Sequence, residues 1–312
     1  MNLFGIPSQP QPSGRNEQRD EDSRRSIASG GLPLNAMDRL REQASRQGKP
    51  GQCFTSDLSV NELAAIADAG YEPLGQVMGS CIYHIGWQYM PTYTWSSGEL
   101  QVLTEAFHNA RHLAVHRIQQ EAALLNATDV AGVRLELRQY DWGAGLLEFT
   151  TFGSAIRRKT TPKNNAAPSV SLLSGQELWL LNQAGYCPVG VAMGNCTWYQ
   201  IATWNTIMAT QGVGFGWGTA YQNQELTDYT QAIYQARSLA SHRMEMEGRA
   251  LAARGIVGVT IQTNMETFEV EVNQQSRKDM IVHFATMGTA IGSLNGQPAT
   301  LPLDINVTLK DN

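Results

Sequence analysis

Four cysteines in 312 residues, Cys53, Cys81, Cys187 and Cys196, are too few and too scattered to make a disulfide framework. None has the two-residue spacing of a zinc knuckle, so reduced thiols and a cytoplasmic setting are expected. Charge is also scarce. Asp, Glu, Lys and Arg make up 16% of the chain, and 23 basic against 28 acidic residues leave a formal net charge of −5. A chain of that sign does not hold nucleic acid by releasing counterions. No apolar run approaches the roughly 20 residues that cross a bilayer. The opening MNLFGIPSQPQPSG lacks the basic-then-apolar order of a secretory signal, so no membrane insertion is expected. A serine nucleophile with an identifiable base is missing, and so is a paired-carboxylate motif. The sequence therefore predicts no enzyme and calls for no cofactor.

What is present suits burial. Hydrophobic residues make up 42% of the chain, enough for two domains with their own cores. A surface with so little charge fits an oligomer whose outer faces are covered by its own neighbours.

The first 53 residues are rich in Ser, Gln, Arg, Asp, Gly and Pro. Such a segment buries too little apolar surface to offset its ordering entropy, which predicts a disordered arm. Two apolar islands interrupt it: Leu3-Phe4-Gly5-Ile6, and GGLPLNAMDRLREQ at 30–43. The second can form a short amphipathic helix with Leu34, Met37, Leu40 and Arg41 along one side. Either island could dock a partner protein, giving residues 1–50 a recruiting role, or dock a neighbouring subunit; the alternative is a solvated tail with local residual structure.

Beyond the arm the chain matches itself. Ser59-Val-Asn-Glu62-Leu63 corresponds to Ser174-Gly-Gln-Glu177-Leu178 at an offset of 115, and AGYEPLGQVMGSC (69–81) to AGYCPVGVAMGNC (184–196) at the same offset. ARHLAVHRIQQEAALLNATDVAGV (110–133) corresponds to ARSLASHRMEMEGRALAARGIVGV (236–259) at 126. Gly153-Ser-Ala-Ile156 corresponds to Gly288-Thr-Ala-Ile291 at 135. Ordered blocks with growing offsets predict two tandem copies of one α+β unit, at 54–157 and 169–292. A linker at 158–168 joins them, and a tail follows at 293–312.

Each copy reads alike. A Ser-x-x-Glu capping box opens a short helix that stops at Gly70 or Gly185. A glycine-punctuated strand follows, where Gly75, Gly79, Gly190 and Gly194 allow a bulge or a close backbone approach. Next comes a long amphipathic helix, with the stripe Leu103, Phe107, Ala110, Ala114, Ile118, Ala122, Leu125 in the first copy. Tyr229, Ile233, Ala236, Ala240, Met244, Gly248 and Leu251 stand at the same places in the second. Strands at 129–140 and 146–157, and again at 255–263 and 279–290, close each copy as a hairpin. The expected class is α+β, two small sheets each covered by one long and one short helix. Leu301, Leu303, Ile305, Val307 and Leu309 alternate and predict an extra strand in the tail.

These features together resemble the YbjQ-like heavy-metal-binding domain family. The resemblance is carried by the Gly-x-x-x-Gly stretch, the long helix with its Ala-rich end, the Val-x-Gly-Val strand and the closing Gly-Ser/Thr-Ala-Ile block. It implies a small α+β unit that assembles into rings, commonly pentamers, without enzymatic turnover. The leading expectation is thus a self-assembling, ring-forming cytoplasmic scaffold whose main partner is itself.

Three side-chain groups could carry chemistry. His108, His112 and His116 recur every four residues on one helical face, with Glu105 a turn earlier, and imidazoles so spaced can chelate zinc or copper. The alternative for them is a polar face in an interface. A metal-binding or metal-sensing module is accordingly the second functional expectation. Arg117 with Glu121, and Arg243 with Glu247, have the spacing of helical ion pairs. Cys81 and Cys196 stand at matching places as thiolate ligands or as buried core residues. The four glycines could line a groove for a small ligand. Trp87, Tyr89, Tyr93, Trp95, Phe215 and Trp217 are expected in contacts between subunits.

Overall fold

Two serine-led caps start a matching pair of nine-residue helices. In a computed structural model that describes residues 14–50, 53–84, 96–139, 146–159, 167–211, 223–272 and 275–294, Ser59 caps α3 (Val60–Asp68) and Ser174 caps α5 (Gly175–Gln183). Each serine side chain accepts the N–H of the glutamate three residues on, whose carboxylate takes the serine N–H in return. Both helices end where a left-handed residue is needed, at Gly70 (φ 81°) and Gly185 (φ 79°).

The architecture is α+β. Ahead of α3 lie α1 (Gly14–Ala28) and α2 (Leu34–Arg46). After it come β1 (Tyr71–His84), β2 (Gly98–Glu99), α4 (Gln101–Leu124), β3 (Asp129–Gln139) and β4 (Leu146–Arg158). The second half supplies β5 (Ser169–Val170), α5, β6 (Tyr186–Gln200), α6 (Trp204–Gln211), α7 (Thr227–Ala250), β7 (Gly255–Val272) and β8 (Gln275–Ser293). One sheet runs β1-β4-β3-β5 and the other β2-β6-β8-β7. The two-residue strands cross between the halves: β2 pairs antiparallel with β6, and β5 pairs parallel with β3.

The long helices lie on the sheets through small residues. Leu103, Phe107, Ala110, Ala114, Ile118, Ala122 and Leu125 are all buried, as the stripe requires. On α7 the buried set is Ala232, Ala236, Ala240, Met244 and Gly248, whereas Leu251 is exposed. The glycines set how closely strand meets helix. A β-carbon at Gly79 would collide with the Ala114 carbonyl oxygen and come within 2.8 Å of the Ile118 nitrogen. One at Gly194 would collide with the Ala240 carbonyl and lie 2.7 Å from the Met244 nitrogen. Gly75 and Gly190 mark the bulges at which β1 and β6 shift register on β4 and β8.

Several expectations need correction. Residues 14–28 are helical, not disordered, and the short helix read at 30–43 is present as 34–46; Leu40, buried among Leu74, Val77, Ile118 and Leu125, anchors the pair. The β7–β8 hairpin is longer than predicted, since polar side chains along its exposed edge hid strand periodicity that β8 pairing restores. The extra strand at 301–309 lies outside the described residues, as do Trp87, Tyr89, Tyr93, Trp95, Phe215 and Trp217. Among the described residues, no helix is long and apolar enough to cross a membrane.

Candidate functional site

The richest polar chemistry sits where the first half meets the second. β2 delivers Glu99 to the edge of β6, and the Leu100 N–H donates to the Thr197 carbonyl (2.8 Å). Arg243, on α7, meets Glu99 with both terminal nitrogens, at 2.6 and 2.9 Å, in a bidentate pair. Burial works to raise the Glu99 carboxyl, but hydrogen bonds from Arg243 and Thr104 outweigh it and hold the group below its usual range. One turn into α4, the Thr104 carbonyl accepts the Asn195 side-chain amide (2.8 Å) and its hydroxyl oxygen accepts the Thr197 N–H (2.9 Å). A groove of about 550 Å³ runs along this seam between α4 and α7, lined in part by Glu105, His108, Met246 and Glu247.

His112 Nε2 lies 2.8 Å from Glu247 Oε1 across the groove, and His108 Nδ1 lies 3.8 Å from the same oxygen. Burial, with His112 close by, pushes the His108 imidazole below its ordinary value, so it is neutral near pH 7. The ligand atoms of His108, His112 and Glu247 all fall within 4.8 Å of one another, a set that could hold a divalent transition metal with one position open. Two residues of the predicted set stand apart. His116 is exposed beside Gln120, and Glu105 is exposed on the groove wall. The structure brings in Glu247 from the other half instead, which no spacing in the sequence could reveal.

The two helical ion pairs expected from i, i+4 spacing are not formed. Arg117 donates to the carbonyls of Ile27, Gly31 and Ser80, and Arg243 goes to Glu99. Glu121 and Glu247 instead accept the backbone N–H of Met78 and Met193, both at 2.8 Å, tying each long helix to its strand. Strand N–H groups facing the helix need acceptors, and these carboxylates supply them.

A second cavity of about 240 Å³ lies on the sheet side of the seam, beside Arg111, Thr197, Asn264 and His283. Arg111 is 5% exposed, packs over Phe149 and Phe107 at 5.4 and 5.8 Å, and leaves its Nε without a hydrogen-bond partner. Burial lowers it to about 10. His283 is pushed down to about 4 by burial and by Arg111, and its ring lies tilted against Phe107, with centroids 5.1 Å apart. Neither Arg111 nor Glu99 was singled out from sequence. Glu99 and Glu225 do share the 126-residue offset, and that was the available signal.

Cys81 and Cys196 are both buried in the core beneath the long helices. Burial raises the Cys81 thiol, and burial together with the Glu99 carboxylate pushes Cys196 up to about 12. Both remain protonated thiols, which are poor metal ligands and poor nucleophiles. At Gly79 and Gly194 the long helix occupies the space a groove would need.

An encapsulin nanocompartment protein of Mycobacterium tuberculosis is 38% identical over 242 residues, which cover 76% of this chain and 85% of the relative. The chain belongs to the encapsulin nanocompartment protein family. No family model matches it. This overturns the YbjQ-like assignment, together with the heavy-metal-binding label that came with it. The motifs that suggested it, a glycine stretch under an Ala-rich helix and a closing small-residue strand, are what any strand packed closely under a helix requires. The pentamer-type ring scaffold and the metal-binding or metal-sensing module fall with that assignment.

Proposed function

We propose that this chain is a structural, non-enzymatic protein that self-associates into an encapsulin-type compartment. Each chain contributes two units of one duplicated α+β domain. Kinship with an encapsulin nanocompartment protein supports the compartment reading. The duplication is supported by matching geometry: α4 and α7 are both 24 residues long, and Leu100 and Leu226 precede them with nearly the same backbone angles. Cys81 faces Phe149 across one sheet as Cys196 faces Phe284 across the other.

The observation that carries self-association is the seam itself. It joins unlike faces, one unit presenting the start of its long helix and the other the outer end of its strand. Among the described residues, the matching helix start of the second unit meets no strand of the first, and Tyr234 there is 64% exposed. Unlike-face contacts repeat from chain to chain, which is how many copies become one assembly. The four unpaired cysteines suit a cytoplasmic home. Residues 14–46 pack on the first unit, so recruitment of a partner protein through residues 1–50 would require them to be displaced.

Mass photometry of the purified protein tests this reading. Particles many times heavier than the 34.3 kDa chain are expected at micromolar concentration and below. A stable monomer under those conditions refutes it.

A further inference from the structure

One arginine environment occurs twice with different partners. In the second unit, Arg243 Nη1 donates to the Asn195 carbonyl of β6 (2.8 Å), and the rest of its fork takes Glu99 of the first unit. In the first unit, Arg117 stands 126 residues earlier, and its Nη1 makes the corresponding bond to the Ser80 carbonyl of β1 (2.5 Å). Among the described residues, no carboxylate meets the remainder of its fork. Nε and Nη2 donate to the carbonyls of Gly31 and Ile27, at 3.2 and 3.0 Å, in the turn between α1 and α2. The residue that corresponds to Glu99 is Glu225, which is exposed just ahead of α7.

The rest of the seam repeats this mismatch. Thr197 is buried because Thr104 covers it, while the corresponding Ile82 is 64% exposed. His108 faces Glu247, while the corresponding Tyr234 has no such partner among the described residues and is as exposed as Ile82.

The two-residue strand β5 points the same way. Ser169, Ser171 and Leu173 ladder onto Thr128–Val133 of the first unit, with Ser171 N–H donating to the Val130 carbonyl (2.9 Å). The corresponding residues 54–58 keep the same internal bond, Leu58 N–H to Ser56 Oγ at 3.1 Å, matching Leu173 N–H to Ser171 Oγ. Yet β7, which corresponds to β3, is the edge of its sheet among the described residues and exposes Val259 and Ile261. A bare apolar edge of this kind is a pairing template. The one movement that carries the first unit onto the second therefore leaves a matched set of faces at both ends of the chain that no described residue covers.

Resting on the self-association reading, we propose that a second copy of this chain fills these faces. Glu225, Thr230 and Tyr234 of one chain dock on Ser80, Ile82 and Arg117 of the next. The α1–α2 turn at Ile27–Gly31 occupies the fork of Arg117 that Glu225 needs, so the N-terminal hairpin is an autoinhibitory contact on the joining face. The turn offers the guanidinium only neutral carbonyls, whereas a carboxylate brings an opposite charge and a bidentate fit, so the neighbour displaces the turn once it is close enough. Assembly then depends on lifting one turn and leaves the domain fold untouched.

Full-length variants followed by mass photometry across a concentration series test both parts, with circular dichroism checking the fold. Glu225→Arg alters an exposed position and is expected to weaken association at least about thirtyfold, the factor that goes with losing one desolvated charge pair. Gly31→Val drives a branched side chain into Ser26, whose Oγ would lie 2.7 Å from the new β-carbon, and so unseats the turn without touching the joining face. It is expected to shift assembly to roughly tenfold lower concentration, the gain from about 1.4 kcal/mol of relieved competition. Association of Glu225→Arg equal to wild type overturns the docking surface while leaving self-association intact. Unchanged or weaker association of Gly31→Val overturns the autoinhibitory turn. If wild type and Gly31→Val both stay monomeric, the self-association reading fails as well.

Discussion

Replacing Gly194 with alanine is the sharpest test of how the long helices are seated. The added methyl would run into the Ala240 carbonyl oxygen and lie 2.7 Å from the Met244 nitrogen, so both obstacles are helix backbone. A side chain can rotate away from such a clash, but a helix must translate. Glu247 makes translation costly, because its carboxylate holds the Met193 N–H at 2.8 Å, beside the substituted position. Inserting one methyl into a tight core costs about 1–3 kcal/mol, and backbone obstacles put this case at the upper end, about 3 kcal/mol. Gly255→Ala is the control. Its nearest neighbour would be Ile291 Cγ1 at 3.9 Å, an ordinary contact, so it should be neutral or stabilising by a few tenths of a kcal/mol. Urea unfolding followed by far-UV circular dichroism reads the difference. With a slope of roughly 3 kcal/mol per molar urea, Gly194→Ala should lower the midpoint by about 1 M. A midpoint within 0.2 M or so of the Gly255→Ala control would refute the argument that glycine is there to let strand and helix backbones touch.

Other outcomes follow from the same contacts. Ser174→Ala removes one half of a capping box and should cost about 1 kcal/mol, read in the same urea assay. His283 stays neutral in the fold down to about pH 4, whereas an unfolded histidine takes its proton near pH 6.5. The folded value is the depressed one, so its contribution is intact above about pH 6.5 and is lost as pH falls from there toward 4, by up to about 3 kcal/mol. His283→Gln should flatten that part of the stability–pH curve, and an unchanged slope would reject the assignment. A thiol reagent should label exposed Cys53 quickly and leave Cys81 and Cys196 unmodified until the protein unfolds.

Periodicity determined much of the fold. The capping boxes at Ser59 and Ser174, the stops at Gly70 and Gly185 and the stripe from Leu103 to Leu125 are local patterns. Their energetics involve residues within a few turns, so sequence alone places them. The stripe on α7 was less legible, since Ala232 is buried and Leu251 is not. Leu40 could be assigned to a helix, but not to a core that Ile118 and Leu125 supply from 80 residues away.

The site was the least legible part. The histidine row was visible, yet the structure keeps only His108 and His112 and completes the set with Glu247. Arg117 and Arg243 had ideal spacing for helical ion pairs with Glu121 and Glu247. They turn elsewhere because buried strand N–H groups at Met78 and Met193 claim those carboxylates first. By itself the sequence determined the α+β elements, their caps and the glycines that let them touch. Only the tertiary structure decided which unit lends Glu99 to the other, which arginine keeps a carboxylate, and which receives the N-terminal turn. Those choices depend on how two faces meet in space, and a face is not a run of neighbouring residues.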